Sequence, residues 1–266
     1  MKISVVTAAY NSIDTIEECI KSVQTQINAD FEHIIVDGDS NDGSKNIILK
    51  YANKFKNLIV VSEPDFGIYD AMNKGIALAT GDVIAILNSD DKYANQNILS
   101  RVSNDITKDK SIIILLTDIE FFIQKNGSEK KSRKVRAGWF LPNRLKYGWM
   151  PPHPGMFISK SVYMKEGFYN TSFQIGADYE FCIRIFLNKK YQYKVAKFTS
   201  VKMRYGGIST NSFRSTITIT KEIIKSCKMH GYKPNYFFLI LRLPIKKILQ
   251  IFDENNFLRK LISKKE

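Results

Sequence analysis

The segment Ile84-Ala85-Ile86-Leu87-Asn88-Ser89-Asp90-Asp91 is an apolar run that stops at two adjacent carboxylates. An aliphatic run of this length reads as a buried strand, and it ends where the acids begin. In open α/β sheets, ligands bind outside the carboxyl ends of the strands. Hard oxygen ligands at that place suit Mg²⁺ or Mn²⁺, which bind through one or two carboxylates plus substrate phosphates. Two surface acids capping a strand would give the same local pattern, so the rest of the chain has to decide between the two readings.

The preceding residues set the architecture. Ile3–Val6, Phe31–Val36 and Leu58–Val61 read as strands, and Asp14–Gln26, Ser44–Phe55 and Ile68–Ala79 as the helices between them, with Asp14 as a helix cap. Ile16, Cys19, Ile20 and Val23 share one helical face. This alternation predicts an α/β fold with a mostly parallel central sheet covered by helices. Every strand then delivers its carboxyl-end loop to one crevice, and those loops are rich in Asp, Asn and Gly. Farther on, Ser111–Leu116 reads as a strand, and Ile119–Gln124 and Lys130–Arg136 flank the hairpin signal Asn126-Gly127. Ser159–Gly167, Ala177–Asn188 and Thr216–His230 read as helices, and Tyr193–Val201 as a strand. Gly206-Gly207-Ile208-Ser209 is a break point. The expected division is a domain over residues 1–212, with halves 1–95 and 96–212, and a C-terminal helical appendage over 213–266.

Composition narrows the partners. The net charge of +14 implies an anionic one: nucleic acid, a phosphorylated substrate or an acidic membrane face. Three scattered cysteines fit a reducing compartment, without a disulfide framework or zinc spacing. The amino terminus reads directly as a strand rather than a signal sequence, and no apolar run reaches the roughly 18 residues of a spanning helix. A cytoplasmic protein is expected.

Four motifs in order carry a resemblance. They are Val5-Val6-Thr7-Ala8-Ala9-Tyr10-Asn11, Ile35-Val36-Asp37-Gly38-Asp39-Ser40-Asn41-Asp42-Gly43, Ser62-Glu63-Pro64-Asp65-Phe66-Gly67-Ile68-Tyr69-Asp70-Ala71-Met72-Asn73-Lys74-Gly75 and Leu87-Asn88-Ser89-Asp90-Asp91. Each stands at a strand end, and together they resemble the family-two glycosyltransferases over residues 2–95, especially bacterial members that build O-antigen, capsule or exopolysaccharide. The resemblance implies a GT-A (Rossmann-like) fold, a nucleotide-sugar donor, a divalent metal (Mn²⁺ or Mg²⁺) and inverting transfer. It places Ala8, Tyr10, Asp37, Asp39, Asp65, Gly67, Lys74 and Asp90 on the donor, and Asp90 and Asp91 on the metal. Where the family's metal motif has its first acid, this chain has Asn88.

The residues themselves support these roles with alternatives. A carboxylate at Asp37 or Asp39 can accept the uracil N3–H, whereas Asp39 and Asp42 can also simply form Asx turns. Asp65-Phe66-Gly67 matches a kinase triplet, but no phosphate-covering glycine loop or His-Arg-Asp accompanies it. Lys74 either contacts donor or pairs with Asp70 at helical i, i+4 spacing. Inverting transfer needs a general base, and Asp178 matches the acid that the family places at a helix start lining the acceptor site. It could equally be a plain helix cap. Glu180 is the substitute, and His153 and Trp149 are further acceptor-side candidates. His153 among prolines and the aromatics around Trp149 also have purely structural readings.

The tail adds charge. From Lys221 to Glu266 there are 11 Lys/Arg against 4 Asp/Glu. Apolar and basic residues interleaved there read as an anchor on anionic lipid, or as a solvated helix packed on the domain. The expected function is transfer of a sugar, UDP-linked, to a saccharide or lipid-linked saccharide at the inner face of the cell membrane. The alternatives are a sugar-nucleotide-binding module without turnover and, from charge alone, a nucleic-acid binder, which the acidic crevice loops disfavour.

Overall fold

A computed structural model describes residues 1–125, 128–189, 191–205 and 213–239. Strands β1 (Lys2–Ala9), β2 (Asp30–Asp37), β3 (Leu58–Ser62) and β4 (Val83–Ile86) alternate with helices α1 (Ile16–Gln24), α2 (Ser44–Ala52) and α3 (Ile68–Leu78). The strands lie in the order β3-β2-β1-β4, all parallel. Every residue from Ile3 to Ala9 is buried, which is why β1 shows no period-two alternation: helices cover both faces. Ile16, Cys19, Ile20 and Val23 are the buried stripe of α1, as their spacing predicts. Thr15, not Asp14, occupies the cap position of that helix, and Glu17 and Glu18 meet the positive end of its dipole.

The second half extends the same sheet through β5 (Lys92–Tyr93), α4 (Ile98–Lys108), β6 (Ile114–Lys125), β7 (Ser128–Val135), β8 (Met156–Ser159), α5 (Lys160–Glu166), α6 (Ala177–Cys182), β9 (Tyr193–Arg204) and α7 (Phe213–Met229). A π-helical turn, Ile183–Asn188, continues α6. Beyond β4 the order is β8-β6-β9-β5, with β7 paired to β6. β8 is antiparallel to both β4 and β6, and β6 is parallel to β9. The sheet is therefore parallel in β3-β2-β1-β4 and again in β6-β9, while β5, β7 and β8 run against it. Two reversals in succession give β6 and β9 the polarity of β1 and β4, so their carboxyl ends reach the same edge.

One face of the sheet packs Val6, Ile34 and Ile84 with Met72 of α3 and Phe181 of α6. The other packs Val5, Ala85 and Leu115 with Cys19 of α1 and Val102 of α4. Ile223 and Cys227 of α7, and Leu239 beyond it, join the first cluster, so residues 213–239 share the core of the acceptor half. The β6–β7 hairpin forms as expected, though its turn, Asn126-Gly127, lies outside the described residues, as do the break at 206–209 and the tail from 240. No helix among the described residues is long and apolar enough to cross a membrane.

Candidate active site

A cavity of about 720 Å³ opens at the carboxyl ends of β1 and β4. These neighbours are where the strand order reverses, with β2 and β3 on one side and β4 on the other, the place where doubly wound sheets bind ligands. The loop after β1 supplies Tyr10 and Asn11, the loop after β3 supplies Asp65 and Gly67, and the loop after β4 supplies Asn88, Ser89 and Asp90. The acceptor half adds His153, Asp178 and Arg204.

Local hydrogen bonds hold the first loops. Asn11 N–H donates to Ser40 Oγ (2.9 Å), Ser12 N–H to Ser44 Oγ (2.8 Å), and Ile13 N–H to Asp42 (2.9 Å). Asp37 is fully buried beneath them. Its carboxylate accepts from the hydroxyls of Ser40 (2.5 Å) and Ser62 (2.7 Å), so it stitches β2 to β3 and stays out of the cavity. Asp39 is exposed, 3.4 Å from Lys45 Nζ, and also outside the cavity lining. The carboxylate that does face the cavity here is Asp65. Its Oδ1 accepts from Gly67 N–H (2.8 Å), and a Cβ on Gly38 would lie 2.4 Å from its Oδ2. Gly38 is thus small because Asp65 rests against it. Gly67 has φ +110, a left-handed value that favours glycine, and the turn it makes starts α3.

Asp90 and Asp91 part company. Asp91 is buried behind the wall, where Asn88 Nδ2 (3.0 Å) and Arg204 N–H (3.2 Å) donate to its carboxylate. Burial, then the charge of Asp90, pushes its pKa well up. It does not line the cavity, so of the two expected metal ligands only Asp90 faces it. Asn88, the departure from the family's motif, is the clamp on Asp91. Burial raises the pKa of Asp90 as well, opposed by its own backbone N–H and by Arg204. Among the described residues no side chain donates a hydrogen bond to Asp90, and no three His, Cys, Asp or Glu side chains form a metal cluster. Arg204 pairs with Glu18 (2.7 Å), while its buried Nε has no partner.

On the opposite wall, Asp178 sits in the first turn of α6. Tyr179 N–H (2.7 Å) and Tyr69 Oη–H (3.3 Å) donate to its Oδ1, and Tyr69 also bonds the carbonyl of Ile175. Burial raises the Asp178 pKa, opposed by His153 and by these two donors. His153 Nε2 lies 2.8 Å from the Tyr169 hydroxyl, and burial lowers its pKa, opposed by the charge of Asp178. Tyr169 is in turn fixed to α3 by a reciprocal pair with the Asn73 amide (2.8 and 2.9 Å).

Three other expected residues lie elsewhere. Lys74 spans Glu63 (2.8 Å) and Asp70 (3.3 Å), bracing the turn before α3 rather than entering the cavity. Glu180 is buried between Arg184 (2.9 Å) and His230 (2.7 Å), which removes it as a substitute base. Trp149 is 60% exposed and outside the cavity. Tyr69 and Arg204 reach the cavity without having been singled out. The expected end of the last strand at Val201 hid Arg204, because β9 runs three residues farther and puts a cation beside acidic loops. Ala8 and Tyr10 line the cavity as the resemblance implies.

A family model described as Glycosyl transferase family 2 matches residues 4–173. A PGL/p-HBAD biosynthesis glycosyltransferase of Mycobacterium bovis is 29% identical over 232 residues, 85% of this chain and 84% of that protein. S. aureus TarS 1–349 superposes with a TM-score of 0.62 at 21% identity, over 85% of this chain and 65% of that one. This chain thus spans just under two thirds of the TarS fragment, which is also solved with UDP-GlcNAc. A mannosyltransferase of Pyrobaculum calidifontis, in complex with GDP-Man and Mn²⁺, superposes with a TM-score of 0.61 at 18% identity, over 96% of this chain and 69% of that one.

Proposed function

Since the chain belongs to glycosyl transferase family 2 and has the GT-A fold, we propose that it transfers a sugar from a UDP-linked donor, with inversion, to a saccharide or lipid-linked saccharide of a surface polysaccharide. The observation that carries this reading is the single switch-point cavity that gathers Asp65, Asp90 and Asp178. Donor complexes of the two structural relatives support a nucleotide sugar.

Tyr10 and Asp65 flank the place for the base, where the Asp65 carboxylate accepts the uracil imide N–H. The residues fit a divalent cation: Asp90 is partly buried, lacks a side-chain donor, and stands before a second acid, so an added positive charge would be favoured there. Asp90 would hold the ion, which would neutralise negative charge on the departing diphosphate. Arg204, which lines the cavity, is a cation for that diphosphate. Asp178 accepts the proton of the acceptor hydroxyl. The hydroxyl oxygen bonds to the anomeric carbon as the carbon–oxygen bond to the diphosphate breaks on the opposite face. A raised pKa makes Asp178 a stronger base than an ordinary aspartate, and the donors at Tyr69 and Tyr179 orient it.

The enzyme works on the inner face of the cell membrane. Residues 240–266, with seven Lys/Arg against three Asp/Glu, support this through attraction to anionic lipid. A panel of nucleotide sugars, tested with and without Mn²⁺ for binding and for slow hydrolysis, tests the reading. Metal-dependent hydrolysis of UDP-sugars is expected. Binding with no turnover towards any donor or acceptor would leave a binding module in place of an enzyme.

A further inference from the structure

Away from the cavity, several exposed aromatic side chains gather at one junction. Trp139 (64% exposed), Leu141, Tyr147 and Trp149 (60%) stand on the turns between β7 and β8, and Phe237 (67%) and Phe238 on the segment after α7. Hydrogen bonds tie these stretches together. Arg144 donates to the Trp139 carbonyl (2.6 Å), Trp149 N–H to the Arg144 carbonyl (3.2 Å), and Asn235 N–H to the Lys146 carbonyl (3.2 Å). The Tyr147 and Phe238 rings then meet edge-on at 5.3 Å.

The surrounding charge has one sign. Arg136 lies over the Trp139 ring at 5.7 Å, and Lys146 over Tyr232 at 5.1 Å. Arg144 and Lys233 are exposed beside them. Among the described residues, none of these four cations is paired with a carboxylate. A monomer has no use for so much exposed aromatic surface. A protein partner would be met by aromatics too, but four unpaired cations around them need an anionic plane. Trp and Tyr rings with Lys and Arg at their rim are the side chains that settle at the headgroup level of a bilayer. The chain also continues from this point into the basic residues 240–266.

We infer that this aromatic-basic face of the folded domain docks on an anionic lipid bilayer, so that the membrane surface is met by Trp139, Trp149 and Phe237 and not by the tail alone. The inference rests on the membrane part of the proposed function and deepens it; it is independent of the donor and acceptor.

The chain has two tryptophans, and both lie in this face. Intrinsic fluorescence of the full-length wild-type protein is therefore a direct reporter. Vesicles of phosphatidylglycerol and phosphatidylcholine should shift the emission to the blue, and bromine on the acyl chains should quench it. Pure phosphatidylcholine should do neither. Full-length protein with Leu141→Ser and Phe237→Ser should partition at least about tenfold less, with unchanged circular dichroism. Flotation with anionic vesicles without change in emission would overturn the inference and leave the tail as anchor. Neither flotation nor emission change would overturn the membrane proposal as well. A blue shift that grows with protein concentration in the absence of lipid would overturn it in favour of self-association.

Discussion

At the level of single side chains, Asp90 and Asp178 differ in what their loss should do. Asp90→Asn removes the carboxylate that faces the diphosphate. Turnover should fall at least ~100-fold, the effect of losing one main electrostatic stabiliser, and metal-dependent donor binding should weaken with it. Steady-state rates with and without chelator check this; a variant as active as wild type would end the assignment. Asp178→Asn should abolish transfer while calorimetry shows donor affinity nearly intact, because a base acts in the transition state. The raised pKa of Asp178 adds a pH signature. A base must be deprotonated to work, so kcat/KM should fall on the acid side at a pH above the ordinary aspartate value of about 3.9. Tyr69→Phe removes a donor that lowers this pKa, so the acid limb should move still higher and the rate fall about threefold to tenfold, the range for one hydrogen bond. An unmoved limb would mean that Tyr69 only packs.

At the level of elements, α7 acts on the site from outside it. The Glu222 carboxylate accepts three backbone N–H bonds, from Gln174 (2.7 Å), Ile175 (3.0 Å) and Gly176 (2.8 Å), the loop that leads into Asp178. Glu222→Gln weakens these charge-assisted bonds. We predict a kcat about tenfold lower with little change in donor affinity, and partial recovery in Glu222→Asp; an equal loss in donor binding would point to general unfolding. Element boundaries show what sequence could and could not reveal. The parallel first half was legible because buried strands are continuous aliphatic runs and each ends in a polar loop. The apolar pattern predicts β6 as two pieces because Thr117 and Asp118 interrupt it. The strand survives them: Thr117 Oγ1 bonds the Gly155 carbonyl (2.8 Å), Asp118 accepts from Ala137 N–H (2.9 Å), and the register shifts there. α4 escaped notice because its buried stripe is only Ile98, Leu99 and Val102. At the site, motif position alone did not separate Asp37 from Asp39, and the acid that faces the cavity is Asp65 instead. Which acid is free depends on the serines that reach it, and one of these, Ser62, comes from a different strand.

For the molecule as a whole, two buried ionisable groups remote from the cavity contribute to the response to acid. His33 is buried with Nε2 against the Thr7 hydroxyl (3.0 Å) and Nδ1 unpartnered, and burial lowers its pKa to about 3. Unfolded histidine titrates near 6.5, so the unfolded chain binds the extra proton between those values. Stability is therefore lost as pH falls from about 6.5 towards 3, by up to about 1.4 kcal/mol per pH unit. Burial alone would raise Glu32, but Lys2, Ser4 and Thr80 outweigh it and hold the carboxyl at about 2, so its contribution disappears lower, as pH falls from about 4.3. His33→Gln should flatten the upper part of the slope alone. Urea midpoints measured from pH 7 to 4 would show it, and parallel curves for the two proteins would reject His33 as the sensor.

β8 has a consequence at a longer time scale. One reversed strand lies between the nucleotide-side strands and β6, and it restores the polarity that brings the later loops to the shared edge. Within the sheet the two halves meet at one strand pair, β4 with β8, and this seam is a natural place to exchange what lies beyond and keep what lies before. A chimera joining residues 1–91 of this chain to the acceptor half of a relative should retain the present donor and adopt the relative's acceptor. Donor choice that travelled with the grafted half would show that the seam does not divide the two inheritances.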